Sequence, residues 1–160
     1  MGRTDQVGMH VAATTVQVYA AFTDRAALEC WLPPDGMTGR VTEFDPRPGG
    51  RYRMILTLTD PAATHGKSSA DRDIVEGVFV EVVDGVRIVQ DVMFPSGDPD
   101  YAGTMRITWA VEPAEGGSFV TVVAENVPSG IAAADHRTGI TASLRNLAEY
   151  VAGRGDQPGP

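Results

Sequence analysis

Cysteine is almost missing from this chain: the single Cys30 has no partner for an intramolecular disulfide, so the sequence carries no mark of an oxidising compartment and a reducing cytoplasm is expected. Long apolar runs are missing too. Nothing approaches the roughly 20 residues of a membrane span, and Met1 to Gln6 has neither a signal-peptide core nor a myristoylation serine or threonine, so no membrane anchor is expected. Basic clusters are absent from a chain of net charge −8, whose field repels phosphate backbones, and nucleic acid is set aside as a partner. His10, His65 and His136 fall on separate segments, and with one cysteine they make no zinc-ligand set. Neither a Gly-x-Ser-x-Gly nucleophile turn, a phosphate-cradling glycine loop nor a dinucleotide fingerprint occurs. No metal, cofactor or catalytic constellation is therefore expected.

What remains is an ordinary globular composition, 42% hydrophobic and 21% charged over 160 residues. That length suits one domain, able to bury about 70% of its unfolded surface. No repeat or linker interrupts it before the Gly/Pro-rich end, so residues 1–152 read as the domain and residues 153–160 as a flexible tail.

The first segment, Asp5 to Ala12, alternates weakly and reads as a strand. Thr14-Thr15-Val16-Gln17 has capping-box spacing for a short helix to about Phe22. Asp24 caps a second short helix, which Pro33-Pro34 stops. Strands are expected around Val41 to Phe44 and over Arg51 to Leu58, joined by the turn chemistry of Asp45 to Gly50. Asp60 to Arg72 is aperiodic and reads as a surface loop able to act as a lid. Four more strands follow, Ile74 to Val83, Val86 to Phe94, Thr104 to Glu112 and Ser118 to Asn126. Last comes an amphipathic helix from about Ser129 to Val151, with His136, Ile140, Leu144, Leu147 and Val151 on one stripe. The sheet is the only large apolar partner for that stripe.

This order resembles the helix-grip fold of the START-related, birch-pollen-allergen-like SRPBCC superfamily, and within it the group of activator of heat-shock-protein-90 ATPase homologues. The likeness is carried by Val18 to Asp24 before Trp31-Leu32-Pro33, by Asp45-Pro46-Arg47-Pro48-Gly49-Gly50-Arg51-Tyr52, by Gly77, and by Gly139-Ile140 with Leu144 and Leu147. It implies an α+β fold in which a curved antiparallel sheet of about six or seven strands wraps a long C-terminal helix, with two short helices after strand 1. It also implies a cavity between sheet and helix. Where relatives commonly place tryptophan after the helix glycine, Ile140 stands here, which reduces the bulk at one wall.

From the inward faces, the expected ligand-contacting residues are Trp31, Tyr52, Met54, Leu56, Met93, Met105, Trp109, His136, Ile140 and Leu144. Aromatic rings offer a flat face and a polar edge, and methionines adapt to varied shapes. The leading expectation is a carrier or sensor for a small, mostly apolar molecule, lipid-like or aromatic. The second is a cyclase, aromatase or hydrolase in which His136 or a strand carboxylate, among Glu76, Asp91 and Glu125, moves a proton. Strand register leaves the faces of those carboxylates and of Asn126 open. The third is a protein-interaction module, with a chaperone or a second copy of the chain as partner.

Overall fold

The fold is that of a computed structural model, which describes residues 3–33, 36–58, 72–94 and 97–155. Seven strands form one antiparallel sheet, β1 (Arg3–Val11), β2 (Met37–Phe44), β3 (Arg51–Leu58), β4 (Arg72–Val83), β5 (Arg87–Met93), β6 (Met105–Ala114) and β7 (Gly117–Val127). Their order is β1-β7-β6-β5-β4-β3-β2, so the six later strands make a meander and the first returns to pair with the last. Helices α1 (Thr15–Phe22) and α2 (Arg25–Trp31) separate β1 from β2, and α3 (Ala133–Gly155) ends the described chain. This is the seven-stranded α+β helix-grip arrangement. Among the described residues no helix is long and apolar enough to cross a membrane.

Local chemistry explains most boundaries. Thr14 Oγ1 accepts from the Gln17 backbone N–H at 3.1 Å while the Gln17 side chain accepts from the Thr14 N–H at 2.9 Å, a complete capping box. Asp24 Oδ1 accepts from the N–H groups of Ala26 and Ala27 and starts α2 in the same way. The β2–β3 turn needs its two glycines for different reasons. Gly49 has φ +86°, a left-handed value costly to other residues, whereas a Cβ on Gly50 would collide with the Asp45 carbonyl oxygen. Bulges between Val41 and Glu43 and between Phe79 and Glu81 interrupt the ladders and bend the sheet.

α3 begins four residues later than periodicity suggests. Pro128 to Ile131 form a turn instead, closed by the Ile131 N–H to the Pro128 carbonyl at 3.0 Å and held to the one-turn 3-10 helix Pro99–Tyr101 by the Gly130 N–H to the Asp100 carbonyl at 2.7 Å. At its other end α3 continues through Gly155, into the stretch read as tail; residues 156–160 lie outside the described residues, as does most of the expected lid loop, residues 59–71.

The inner face of the sheet, α1, α2 and the Ile140/Leu144/Leu147/Val151 stripe of α3 share one apolar core. A smaller cluster of Val92, Met105, Ala124, Val127 and Ile131 lies by itself toward the α3 entrance. α3 rests on β1, α1 and α2. Just past the end of α2 two carbonyls take donors from α3: Ser143 Oγ donates to the Leu32 carbonyl at 2.6 Å and Asn146 Nδ2 to the Pro33 carbonyl at 3.0 Å.

Candidate functional site

The alternation of β5 turns Ile88, Gln90 and Val92 inward and Arg87, Val89, Asp91 and Met93 outward. On neighbouring strands Trp109 lies opposite Ile88, and Gln90 is flanked by Ile107 and by Phe79. Two short helices cover this part of the sheet. Their contribution is apolar: Phe22 from α1, Leu28 and Trp31 from α2, and Leu32 at its cap. Between cover and sheet lies a small cavity of about 20 Å³, bounded by these four residues and by Tyr52, Ile88, Gln90 and Trp109.

Rings dominate its frame. Trp31 and Trp109 meet edge to face at 5.3 Å and 77°, and Phe22 leans on both at 6.2 and 6.0 Å. These spacings are those of attractive tilted aromatic pairs. The Trp31 indole N–H donates to the Ala21 carbonyl at 2.9 Å, which fixes the ring to the α1–α2 corner and leaves it no polar edge for a ligand. The Tyr52 hydroxyl donates to Met54 Sδ at 3.2 Å, a weak acceptor, and burial pushes its phenol well above the usual tyrosine range.

Gln90 stands apart. It is 8% exposed, and among the described residues no hydrogen bond reaches its side-chain amide, whose polar atoms keep some accessible surface. The Trp109 indole N–H also forms none among the described residues. Apart from the phenol of Tyr52, nothing in the lining ionises near neutral pH or above it.

The residues expected to contact a ligand are thus divided by the fold. Trp31, Tyr52 and Trp109 border the cavity. Trp31, read from sequence as a rim residue ahead of two prolines, is only 1% exposed because its ring is pulled under the corner. Met54 and Leu56 lie in the surrounding core, and Met105 belongs to the separate small cluster. Met93 is on the outer face of the sheet, 49% exposed. Ile140 and Leu144 pack in the core, and no α3 residue borders this small cavity under α1 and α2. Phe22, Leu28, Leu32, Ile88 and Gln90 were not singled out by sequence. The legible signal was Gln90 itself, a polar side chain at an inward position of an alternating strand.

His136 serves elsewhere. Its Nδ1–H donates to Asp5 Oδ2 at 2.8 Å, and Arg3 clasps the same carboxylate through Nε at 2.9 Å and Nη2 at 3.0 Å. Asp5 has no exposed surface; the Arg3 guanidinium and then His136 hold its carboxyl below the usual aspartate range. Of the open strand carboxylates, Asp91 is an outer-face partner of Arg106 at 2.8 and 3.0 Å, and Glu125 is exposed. Asn126, in a left-handed conformation at φ 60°, donates to the Thr104 carbonyl. Among the described residues no group of three or more metal-binding side chains converges.

The sequence profile of the family described as "Activator of Hsp90 ATPase homolog 1-like protein" matches residues 12–152. No match emerges among curated proteins. Among solved structures, a protein from Chromobacterium violaceum is 30% identical with a TM-score of 0.83, over 92% of this chain and 96% of its own. One from Rhodobacter sphaeroides is 22% identical with a TM-score of 0.77, over 96% and 95% of the two chains. The AHSA1 protein from Silicibacter pomeroyi shares 18% identity at a TM-score of 0.78, over 95% and 99%. With its profile match spanning nearly the whole chain and its helix-grip architecture, this chain belongs to the AHSA1-like family of the SRPBCC superfamily.

Proposed function

We propose that this protein binds a small, mostly apolar molecule in the space between the α1–α2 cover and the inner face of β3, β5 and β6, as a carrier or sensor acting in a reducing compartment. The observation that carries this reading is the site's lining: seven apolar or aromatic side chains around one amide that pairs with no other side chain or backbone group among the described residues. Ligand sites combine an apolar wall with a few placed polar groups in this way. The helix-grip fold of the family, which commonly takes hydrophobic ligands, supports it. In the closed form the cavity holds about one water-sized body, so a ligand enters by parting the rings of the cover from the sheet.

Both tryptophans of the chain stand at this site. Titration with ethylbenzene is expected to shift their fluorescence saturably, and Ile88→Phe, which fills the space, is expected to abolish the shift while leaving the circular dichroism unchanged. A spectrum that stays constant up to the solubility limit of ethylbenzene and of its ketone and alcohol analogues would sink the reading.

A further inference from the structure

We propose that the ligand is electrically neutral and carries one hydrogen-bonding group, a carbonyl or hydroxyl, which the Gln90 amide recognises; the inference rests on the binding reading above. A glutamine amide brings two donors and a strong acceptor. Taking such a group out of water without a partner is costly, which is why buried polar side chains are nearly always paired. Gln90 is more than nine-tenths buried as a residue and unpaired among the described residues, on the wall of the small cavity, with its amide atoms keeping some accessible surface. An apolar residue there would continue the Ile88–Val92 face at no such cost. The amide therefore has hydrogen-bonding capacity that no described residue uses and that a ligand can meet.

Two further groups set the polarity of that ligand. The N–H of the half-buried Trp109 has no acceptor among the described residues, and Tyr52, whose proton is turned to the Met54 sulfur, keeps oxygen lone pairs. Together they match one carbonyl or hydroxyl oxygen, or an alcohol that both donates and accepts. Charge is disfavoured twice. No cationic side chain lines the cavity to compensate a buried carboxylate or phosphate, and the net charge of −8 opposes an approaching anion. A buried ammonium group meets no carboxylate in the lining. The tilted ring frame, with centroids 5.3 to 6.2 Å apart, favours a flat ring for the remaining body of the ligand.

The test compares four single-ring probes of similar shape, ethylbenzene, acetophenone, 1-phenylethanol and benzoate, on the whole chain and on the Gln90→Met and Gln90→Asn variants. Dissociation constants come from tryptophan fluorescence and calorimetry, with circular dichroism and melting to confirm folding. The wild type is expected to bind acetophenone and 1-phenylethanol about tenfold or more tightly than ethylbenzene, the scale of one satisfied buried hydrogen bond. That order runs against simple transfer, since the hydrocarbon gains more from leaving water. Benzoate is expected to bind weakest. In Gln90→Met the preference collapses while ethylbenzene binding persists, and Gln90→Asn, with a shorter amide, falls between. Equal binding of ethylbenzene and acetophenone by the wild type overturns the role of Gln90 and leaves the apolar-ligand reading standing. Tightest binding of benzoate overturns neutrality. If no probe binds and Gln90→Met melts at higher temperature, the amide holds a buried water only, and both readings fall.

Discussion

Asp5 shows how much one side chain depends on partners far away in the chain. It is fully buried, yet carries a carboxylate satisfied by Arg3 two residues away and by His136 across the fold, while Arg3 Nη2 reaches on to the Ile131 carbonyl at 2.6 Å. Because the folded carboxyl titrates below the unfolded value of about 3.9, its contribution to stability is complete above that pH and disappears as pH falls through the lower folded value. Urea midpoints measured between about pH 2 and about pH 6 are expected to fall less steeply on the acid side for Asp5→Asn than for the wild type; parallel curves would show that the clasp is not coupled to folding. Asp91 is lowered by Arg106 in the same direction, but that pair is at the surface and weighs little. Leu144 is the opposite kind of residue, apolar and fully enclosed, and Leu144→Ala is expected to cost about 2–5 kcal/mol by denaturant unfolding. A loss below about 0.5 kcal/mol would place it at the surface. Leu144 was legible because a helical stripe declares its buried side. Asp5 was not: a weakly alternating strand says nothing of a histidine 131 positions later, and the inward aspartate looks like any solvated one.

Among the elements, α2 is seven residues long and too short to stand alone, so its position is set by what grips it. Asp24 caps its start, Trp31 is tied to the Ala21 carbonyl, Glu29 Oε2 accepts from the Val41 N–H on the edge strand at 2.7 Å, and Ser143 and Asn146 hold its exit. Those ties hold α2 over the inner face of the sheet. In Ser143→Ala/Asn146→Ala two carbonyls lose their partners, and hydrogen exchange is expected to quicken in α2 while the amides of β5 and β6 keep their protection. Uniform acceleration across the sheet would mean that α2 does not open as a separate unit. The helix starts were readable because caps are local: Thr14, Gln17 and Asp24 announce themselves within four residues. The strands were readable from alternation and from turns such as Asp84-Gly85, with Gly85 at φ +75°. The start of α3 was misplaced because Gly130 is engaged by Asp100, a contact that sequence spacing does not display. The same limit bears on the small cavity. Periodicity showed that the α3 stripe was buried, not that Leu144 and Leu147 would keep no exposed surface while residues of the short helices line a small space.

For the molecule as a whole, a ligand held in this gap is sandwiched between a cover and a sheet that are far apart in sequence, and it stabilises only the state in which both are assembled. Binding to the folded form alone adds about 2.7 kcal/mol when free ligand is about 100 times its dissociation constant. For a chain of this size about 1 kcal/mol moves the melting temperature by about 2–4 °C, so acetophenone at that excess is expected to raise it by about 5–11 °C. The cavity lining holds no charged side chain and acetophenone is neutral, so the shift is expected to persist when ionic strength rises from about 0.05 M to about 0.5 M, where screening between exposed charges becomes severe. The acidic surface, with its net charge of −8, behaves differently: salt relieves its self-repulsion and raises the melting temperature of the ligand-free protein. Scanning calorimetry with and without ligand at both ionic strengths separates the two effects. A ligand-induced increment that vanishes in high salt would assign the stabilisation to surface charge and remove the neutral cavity from the account.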